Sequence, residues 1–332
     1  MSLPNEIQPT EEELLWMYEH MVLSRKYEER IGKAYLEGKV PVFNMTKGPI
    51  PGEMHLSNGQ EPVAVGVCAH LTDKDCIVGS HRPHHIAIAK GVDLDKMTAE
   101  IYGREAGLSR GKGGHMHLFD PEKSFSCSGI VGQGIGLAVG QALAAKLQGT
   151  GAVAVAVTGE GAANQGLFHE SMNLAALWKL PFICIIEDNK WGVSVSKATS
   201  TSIARNSDRA AAYGIPGEYV EDNDVWGVYS AAKRAVERAR NGEGPTIIEV
   251  ETIRMAGHFV GDPETYVPKD ELAARRDPID VMGERLEKEG VLKPKERAAI
   301  AEKAEQRVEQ AVEFACDSPY PDGDEAMQNI FA

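Results

Sequence analysis

The stretch from Val153 to Trp191, VAVAVTGEGAANQGLFHESMNLAALWKLPFICIIEDNKW, constrains the fold more than any other part of the chain. Val153 to Val157 is a short apolar run rich in β-branched residues, as a strand buried on both faces of a parallel sheet requires. It ends in Gly159-Glu160-Gly161, one acid between two glycines. A helix-period segment follows, with Leu167, Leu174 and Trp178 on one stripe and Phe168, Met172 and Ala175 beside it. Pro181 then punctuates, and Phe182 to Ile186 reads as a second buried strand ending in Glu187-Asp188-Asn189. This is a βαβ unit, and such units bind ligands at the carboxyl ends of their strands. Glu160 and Asn189 both fall at those ends, so a carboxylate and an amide face one crevice.

That pair suits a hard cation carrying a diphosphate. Magnesium takes about six oxygens in near-octahedral geometry, one or two from carboxylates and the rest from carbonyls, water and phosphate. The glycines beside Glu160 allow the backbone to approach a phosphate closely. GEGAANQG, then ALWKLP, then EDN resembles the thiamine-diphosphate motif. More narrowly, it resembles that motif in the α subunits of the 2-oxo acid and acetoin dehydrogenase complexes, the pyruvate dehydrogenase α-like family. The family pattern has Asp where this chain has Glu160, and the extra methylene changes how the carboxylate meets a metal. The resemblance implies thiamine diphosphate and Mg²⁺ as cofactors. Gly159, Glu160, Gly161 and Ala162 would lie on the cofactor, with Glu160, Asn189 and Trp191 on the metal.

The chain has 332 residues, enough for one large α/β domain or two small ones. Its formal charge of −14 and the lack of any basic run argue against nucleic acid and anionic membranes as partners. No apolar stretch approaches the roughly 20 residues that span a bilayer. The N-terminus, MSLPNEIQPTEEE, is acidic and shows neither a signal peptide nor a transit pattern. Cys68, Cys76, Cys127, Cys184 and Cys316 have no CxxC spacing and read as free thiols, so the expected location is the cytoplasm.

Taken in order, Thr10 followed by Glu11, Glu12 and Glu13 caps a helix running to about Leu36. Residues 41–59 are rich in glycine and proline and read as irregular chain. Gln60-Glu61-Pro62 opens a small-residue helix from Val63 to Leu71, similar to the family's segment by the substrate channel. Glu53 stands where pyruvate-specific relatives often carry an aromatic residue, leaving the substrate open. Cys76 to Gly79 is a predicted strand, followed by Ser80-His81-Arg82-Pro83-His84-His85. Three histidines in five residues invite a zinc reading, but no cysteine or carboxylate stands at ligand spacing. In the family an Arg here contacts diphosphate oxygens through its planar fork, which Arg82 matches. His81 stands where many relatives have Tyr, and His84 matches a histidine near the reacting carbon.

Residues 103–128 read as a long glycine-rich loop, whose RGKGGHMH resembles the family's RGxGGSMH. His115 and His117 read as loop histidines satisfied by backbone carbonyls rather than metal ligands. In Gly129-Ile130-Val131-Gly132-Gln133-Gly134-Ile135-Gly136 the spacing is GxGxxxG. With no preceding strand and no acid about 20 residues on, a nicotinamide site is disfavoured. The family's GIVG contacts the aminopyrimidine of thiamine, which implicates Gly129 and Val131. The following helix, through Lys146, is rich in small residues that permit close packing, against a symmetry mate among the options. Beyond Trp191, a strand is expected over Gly217 to Val220, a helix from Asp224 through Arg240, and a strand from Pro245 to Arg254. GHFVGDPETY is similar to the family's GHSMSDP loop, which makes His258 a catalytic and cofactor-side candidate alongside His84; imidazole suits proton transfer near neutral pH. Phe259 replaces the serine that regulated relatives phosphorylate. Helices follow from Asp277-Pro278 and Pro294.

The expected architecture is an α/β thiamine-diphosphate-binding fold, a parallel sheet with helices on both faces plus a helical C-terminal region. It forms one domain over 1–332, with a helical arm at about 10–40 and a helical extension at about 269–332. The resemblance implies the α subunit of an α2β2 heterotetramer that decarboxylates a 2-oxo acid or cleaves acetoin and passes the acyl group to a lipoyl-bearing acyltransferase. A separate β subunit would complete the active site. A transketolase-like half-enzyme and a non-catalytic homologue remain as alternatives.

Overall fold

The structure is a computed structural model, described here for residues 7–39 and 44–328; positions 41–43 of the glycine- and proline-rich segment lie outside the described residues. Helix α1 (Glu11–Leu36) opens on the expected cap: the Thr10 side chain accepts from the Glu13 amide, and the Glu13 carboxylate accepts from the Thr10 amide. Helix α2 is Glu61–Cys68, two residues earlier at its start than the small-residue run indicates, because Pro62 suits the first turn. Strand β1 (Cys76–Gly79) follows, then α3 (His84–Lys90) and α4 (Leu94–Ile101).

The glycine-rich segment is not structureless. It holds β2 (Phe119–Asp120) and β3 (Phe125–Cys127), and β3 pairs parallel with β1, placing Gly79 beside Cys127. A strand therefore does precede the GIVG run, contrary to expectation. The nicotinamide site remains disfavoured by the glycine spacing and the missing acid. Next come α5 (Gln133–Gln148), β4 (Ala154–Gly159), α6 (Gly166–Leu177) and β5 (Phe182–Asp188). A small hairpin, β6 (Trp191–Gly192) and β7 (Val195–Ser196), leads through α7 (Lys197–Ser200) to β8 (Gly217–Val220) and α8 (Val225–Arg240). Strand β9 (Thr246–Glu251) is shorter than Pro245 to Arg254; α9 (Lys269–Ala274), α10 (Pro278–Glu289) and α11 (Pro294–Asp317) close the chain.

The main sheet runs β2-β3-β1-β4-β5-β9-β8, and every pairing but β2–β3 is parallel. Strand residues alternate between two cores, as a period of two demands. Val78, Ala154, Ala156, Phe182, Cys184 and Ile186 face α5 and α6. Ile77, Val155, Val157, Ile183, Ile185 and Ile248 face the other side, where α1, α2, α8 and α11 share one buried cluster. Full burial of each large aliphatic side chain contributes about 1.5–3 kcal/mol, so the central strands anchor both layers. All five cysteines are free thiols, with Cys316 exposed. Among the described residues, no helix is long and apolar enough to cross a membrane.

Candidate functional site

Five parallel strands deliver their carboxyl ends to one cavity. His81 and Arg82 follow β1, Ser128 follows β3, Glu160 follows β4, Asn189 follows β5, and Arg254 and His258 follow β9. The cavity holds about 210 Å³ and is also lined by Val131, Gly159, Gly161, Ala162 and Trp191. A Cβ on Gly159 or Gly161 would meet no atom within 4 Å, so the two glycines face open space on either side of Glu160. Gly132, at φ +82, makes the left-handed turn that starts α5.

Two residues of the sequence reading lie elsewhere. Gly129 does not line the cavity; a Cβ there would press on His117 Nε2 at 3.2 Å. His84 is fully buried behind the cavity wall, with Nδ1 3.0 Å from Glu28 Oε2. The three histidines after β1 diverge, since His85 Nε2 lies 2.9 Å from Glu187 Oε1 while His81 faces the cavity. Among the described residues these three histidines do not converge on one point.

Arg82 is held by main-chain oxygens: Nη1 donates to Leu56 O at 2.6 Å and Nη2 to His258 O at 2.6 Å. Burial, then the second guanidinium of Arg254, pushes Arg82 down to about 10. The sequence reading did not single out Arg254. It is 2% exposed, donates to Tyr266 Oη at 2.7 Å, and its Nε is buried with no partner among the described residues. His81 Nε2 is likewise buried and unpartnered. Orphaned polar atoms in a cavity with two arginines mark an anion site, because each costs about 1–3 kcal/mol until it meets a partner.

His81 is pushed down to about 2 and His258 to about 4, by burial first and then by Arg82. Both are neutral imidazoles at pH 7. The His258 amide donates to Asp262 Oδ2 at 2.7 Å, which fixes the loop that carries it. Nitrogens of His55, His81 and His258 lie within 4.8 Å of one another, a spacing a transition metal would accept. Two guanidinium groups beside them repel a cation, so charge favours an anion over a metal there.

Glu160, lining the same cavity, is 3% exposed, and burial together with Asp188 raises it to about 7. Asp188 itself is tied to Lys197, which also donates to Glu249 Oε1 at 2.8 Å. Asn189 Oδ1 accepts from the Trp191 amide at 3.2 Å, and Trp191 Nε1 donates to Glu271 Oε1 at 2.6 Å. An acid poised at neutral pH and an amide oxygen give a divalent cation two protein ligands. The cavity thus brings guanidinium groups, a poised carboxyl and an amide together, a set that could take an anion bridged by a divalent cation.

Residues 41–323 match the family described as Dehydrogenase E1 component. The chain belongs to that family. Its members use thiamine diphosphate. The chain is 43% identical over 326 residues to the acetoin:2,6-dichlorophenolindophenol oxidoreductase α subunit of Bacillus subtilis, covering 97% of this chain and 94% of that protein. It is 39% identical to the corresponding α subunit of Cupriavidus necator, covering 96% and 94%. Identity is also 39% to the pyruvate dehydrogenase E1 component α subunit of Rhizobium meliloti, with 97% and 90% covered. Like these E1 relatives, the chain is an oxidoreductase component.

His55 and His115 were also missed as cavity neighbours. His55 lies in the glycine- and proline-rich segment, where no periodicity points to it, and is 5% exposed against His81 and His258. His115 is 5% exposed, interacts with the backbone of Glu53, and its ring stacks on His55.

Proposed function

We propose that this chain is the α subunit of a two-chain, thiamine-diphosphate-dependent dehydrogenase that decarboxylates a 2-oxo acid or cleaves acetoin. The observation that carries the reading is the cavity that orphaned Arg254 Nε and His81 Nε2 share with Glu160 and Asn189. Arg82, Arg254 and His81 would hold the diphosphate. Glu160, Asn189 and the one oxygen Trp191 offers, its main-chain carbonyl, would hold Mg²⁺. Val131 would approach the aminopyrimidine. Bound thiamine diphosphate supplies a carbanion that adds to a carbonyl and then accepts its electrons. His258, neutral at pH 7 and beside Arg82, would exchange a proton with the substrate oxygen.

A separate β chain would complete the site in an α2β2 assembly. Support comes from the outer side of α5 and α6, where Leu137, Leu147, Leu174, Leu177 and Trp178 are exposed, with Leu147 at 78% and Leu177 at 70%. Several large apolar side chains exposed on two adjacent helices suit an interaction face. We further place the complex in the cytoplasm, with a lipoyl-bearing acyltransferase as acceptor of the acyl group.

The test is dye reduction by the chain co-expressed with a β-type chain, with Mg²⁺ and thiamine diphosphate, over pyruvate, branched 2-oxo acids and acetoin. Cofactor-dependent reduction with one substrate class is expected. An intact complex silent on all of them, yet active on a sugar phosphate, would move the chain to the transketolase-like class. Silence on every substrate would mark it as non-catalytic.

A further inference from the structure

Five imidazoles run inward from the cavity and end on a buried carboxylate. His55 lies edge-on to His258 with ring centroids 5.2 Å apart, and edge-on to His81 at 4.8 Å. Behind it His115 stacks at 5.5 Å, and His84 lies 5.5 Å beyond His115. The nitrogens of His55, His81 and His258 lie within 4.8 Å of one another, a span that one bridging water covers. His84 Nδ1 then meets Glu28 Oε2 at 3.0 Å, with both residues 0% exposed.

The far end of this file has a defined polarity. Burial pushes the Glu28 carboxyl upward, but His84 beside it and two donors from Ser57 outweigh that and hold it below the ordinary value. Glu28 is therefore ionised and accepts only. Its Oε1 takes the Ser57 amide at 3.1 Å and the Ser57 hydroxyl; its Oε2 is left for His84. The proton between Glu28 and His84 must then sit on Nδ1, and in the neutral imidazole so oriented Nε2 carries the lone pair. That Nε2 is buried and has no partner among the described residues. A buried base without a donor costs stability, and a carboxylate–imidazole pair arranged this way is the arrangement that makes a histidine accept protons.

We propose that Glu28 is a positioning residue, fixing His84 as the tautomer whose Nε2 receives a proton passed from the cavity through His55 and His115. The inference rests on the proposed function for its proton source. One proton leaves a substrate oxygen at His258 or His81, and one proton arrives at His84 Nε2. The imidazolium so formed faces the Glu28 carboxylate, the charges cancel, and the reverse transfer returns the proton. No redox partner is involved.

The experiment compares native complex with Glu28→Gln in the co-expressed assembly. Because Oε1 must accept two Ser57 donors, the glutamine carbonyl takes that place and its NH₂ turns to His84 Nδ1. The tautomer inverts and Nε2 carries the proton. The expected result is a fall in kcat of about 100-fold, with KM and cofactor affinity within about twofold. Neutron diffraction from crystals of the two complexes should place hydrogen on His84 Nδ1 in the native protein and on Nε2 in the variant. Native kcat in Glu28→Gln, or hydrogen on Nε2 in the native complex, overturns the proposal. The neutron result requires no turnover, so a complex inactive on every substrate would sink the functional reading and the transfer with it, while the tautomer that Glu28 imposes on His84 would still be decided on its own. Should Glu28→Gln fail to assemble, His115→Phe breaks the file and leaves Glu28 and His84 intact. The same drop in kcat at unchanged KM is expected, and native kcat would again overturn the proposal.

Discussion

Helices α1 and α6 are both amphipathic, yet their apolar stripes have different fates. Met17, Met21 and Ile31 of α1 are 0% exposed, covered by α11 and the shared cluster on one side of the sheet. On α6 the stripe of Phe168, Met172 and Ala175 is equally buried, against β4, β5 and α5. The neighbouring stripe, Leu167, Leu174 and Trp178, is instead exposed, with Leu167 lying against Gly136 of α5. A 3.6-residue period tells which side of a helix avoids water, but not whose surface covers it. A second apolar stripe on a helix already docked through its first is the mark of a neighbour from another chain.

The contrast can be broken most forcefully at its core end. Phe168→Ala should cost about 3–5 kcal/mol in urea unfolding of the chain, the range for deleting a fully buried aromatic ring. A cost under about 1 kcal/mol would mean that this stripe is no more core than its neighbour. On the outer stripe, Leu177→Glu should change unfolding by less than about 0.5 kcal/mol. It should weaken assembly with the β-type chain at least about tenfold in sedimentation titrations. Equal affinity for both versions would remove the interface from α6.

Titration sharpens the comparison, because α6 begins at the cofactor loop and α1 does not. Glu160 lies above its ordinary value, at about 7, so its neutral form favours the empty chain. That contribution is complete below about 4.5 and is lost as pH rises through about 7. A divalent cation demands the ionised form. Mg²⁺-thiamine diphosphate should therefore release a proton on binding and lose affinity about tenfold per pH unit below 7, seen by calorimetry in buffers of different ionisation heat. Binding independent of pH between 5 and 7 would remove Glu160 from the metal. The smallest effect belongs to the capping box: Thr10→Ala should cost about 1 kcal/mol and leave assembly unchanged.

Much of this fold was legible because its signals are local. Thr10 with Glu13, Pro278 and Pro294 mark helix starts through chemistry confined to one turn, and β1 and α1 were placed to the residue. Strands β2 and β3 were not, because short strands in a glycine-rich segment exist only through partners distant in sequence, here β1. The cavity residues could be read where they terminate strands of an apolar run, as Glu160 and Asn189 do. Arg254 closes the strand expected from Pro245 but lies three residues beyond the end of β9, and nothing in its pattern marked it as a cavity residue. His55, His115 and Glu28 come from three separate segments, and only the packing of α1 over the loop before α2 brings them into one file.

Arg82 joins segments that the chain itself keeps far apart. Its two terminal nitrogens grip the carbonyls of Leu56 and His258, fastening the strand-exit loop after β1 to the approach to α2 and to the loop after β9. In a mechanical sense it is a rivet through three plates. Loops fastened this way cannot fray one at a time, so their amide protons should exchange with deuterium in a single correlated opening, and Arg82→Lys, which keeps the charge but loses the fork, would split that event into three.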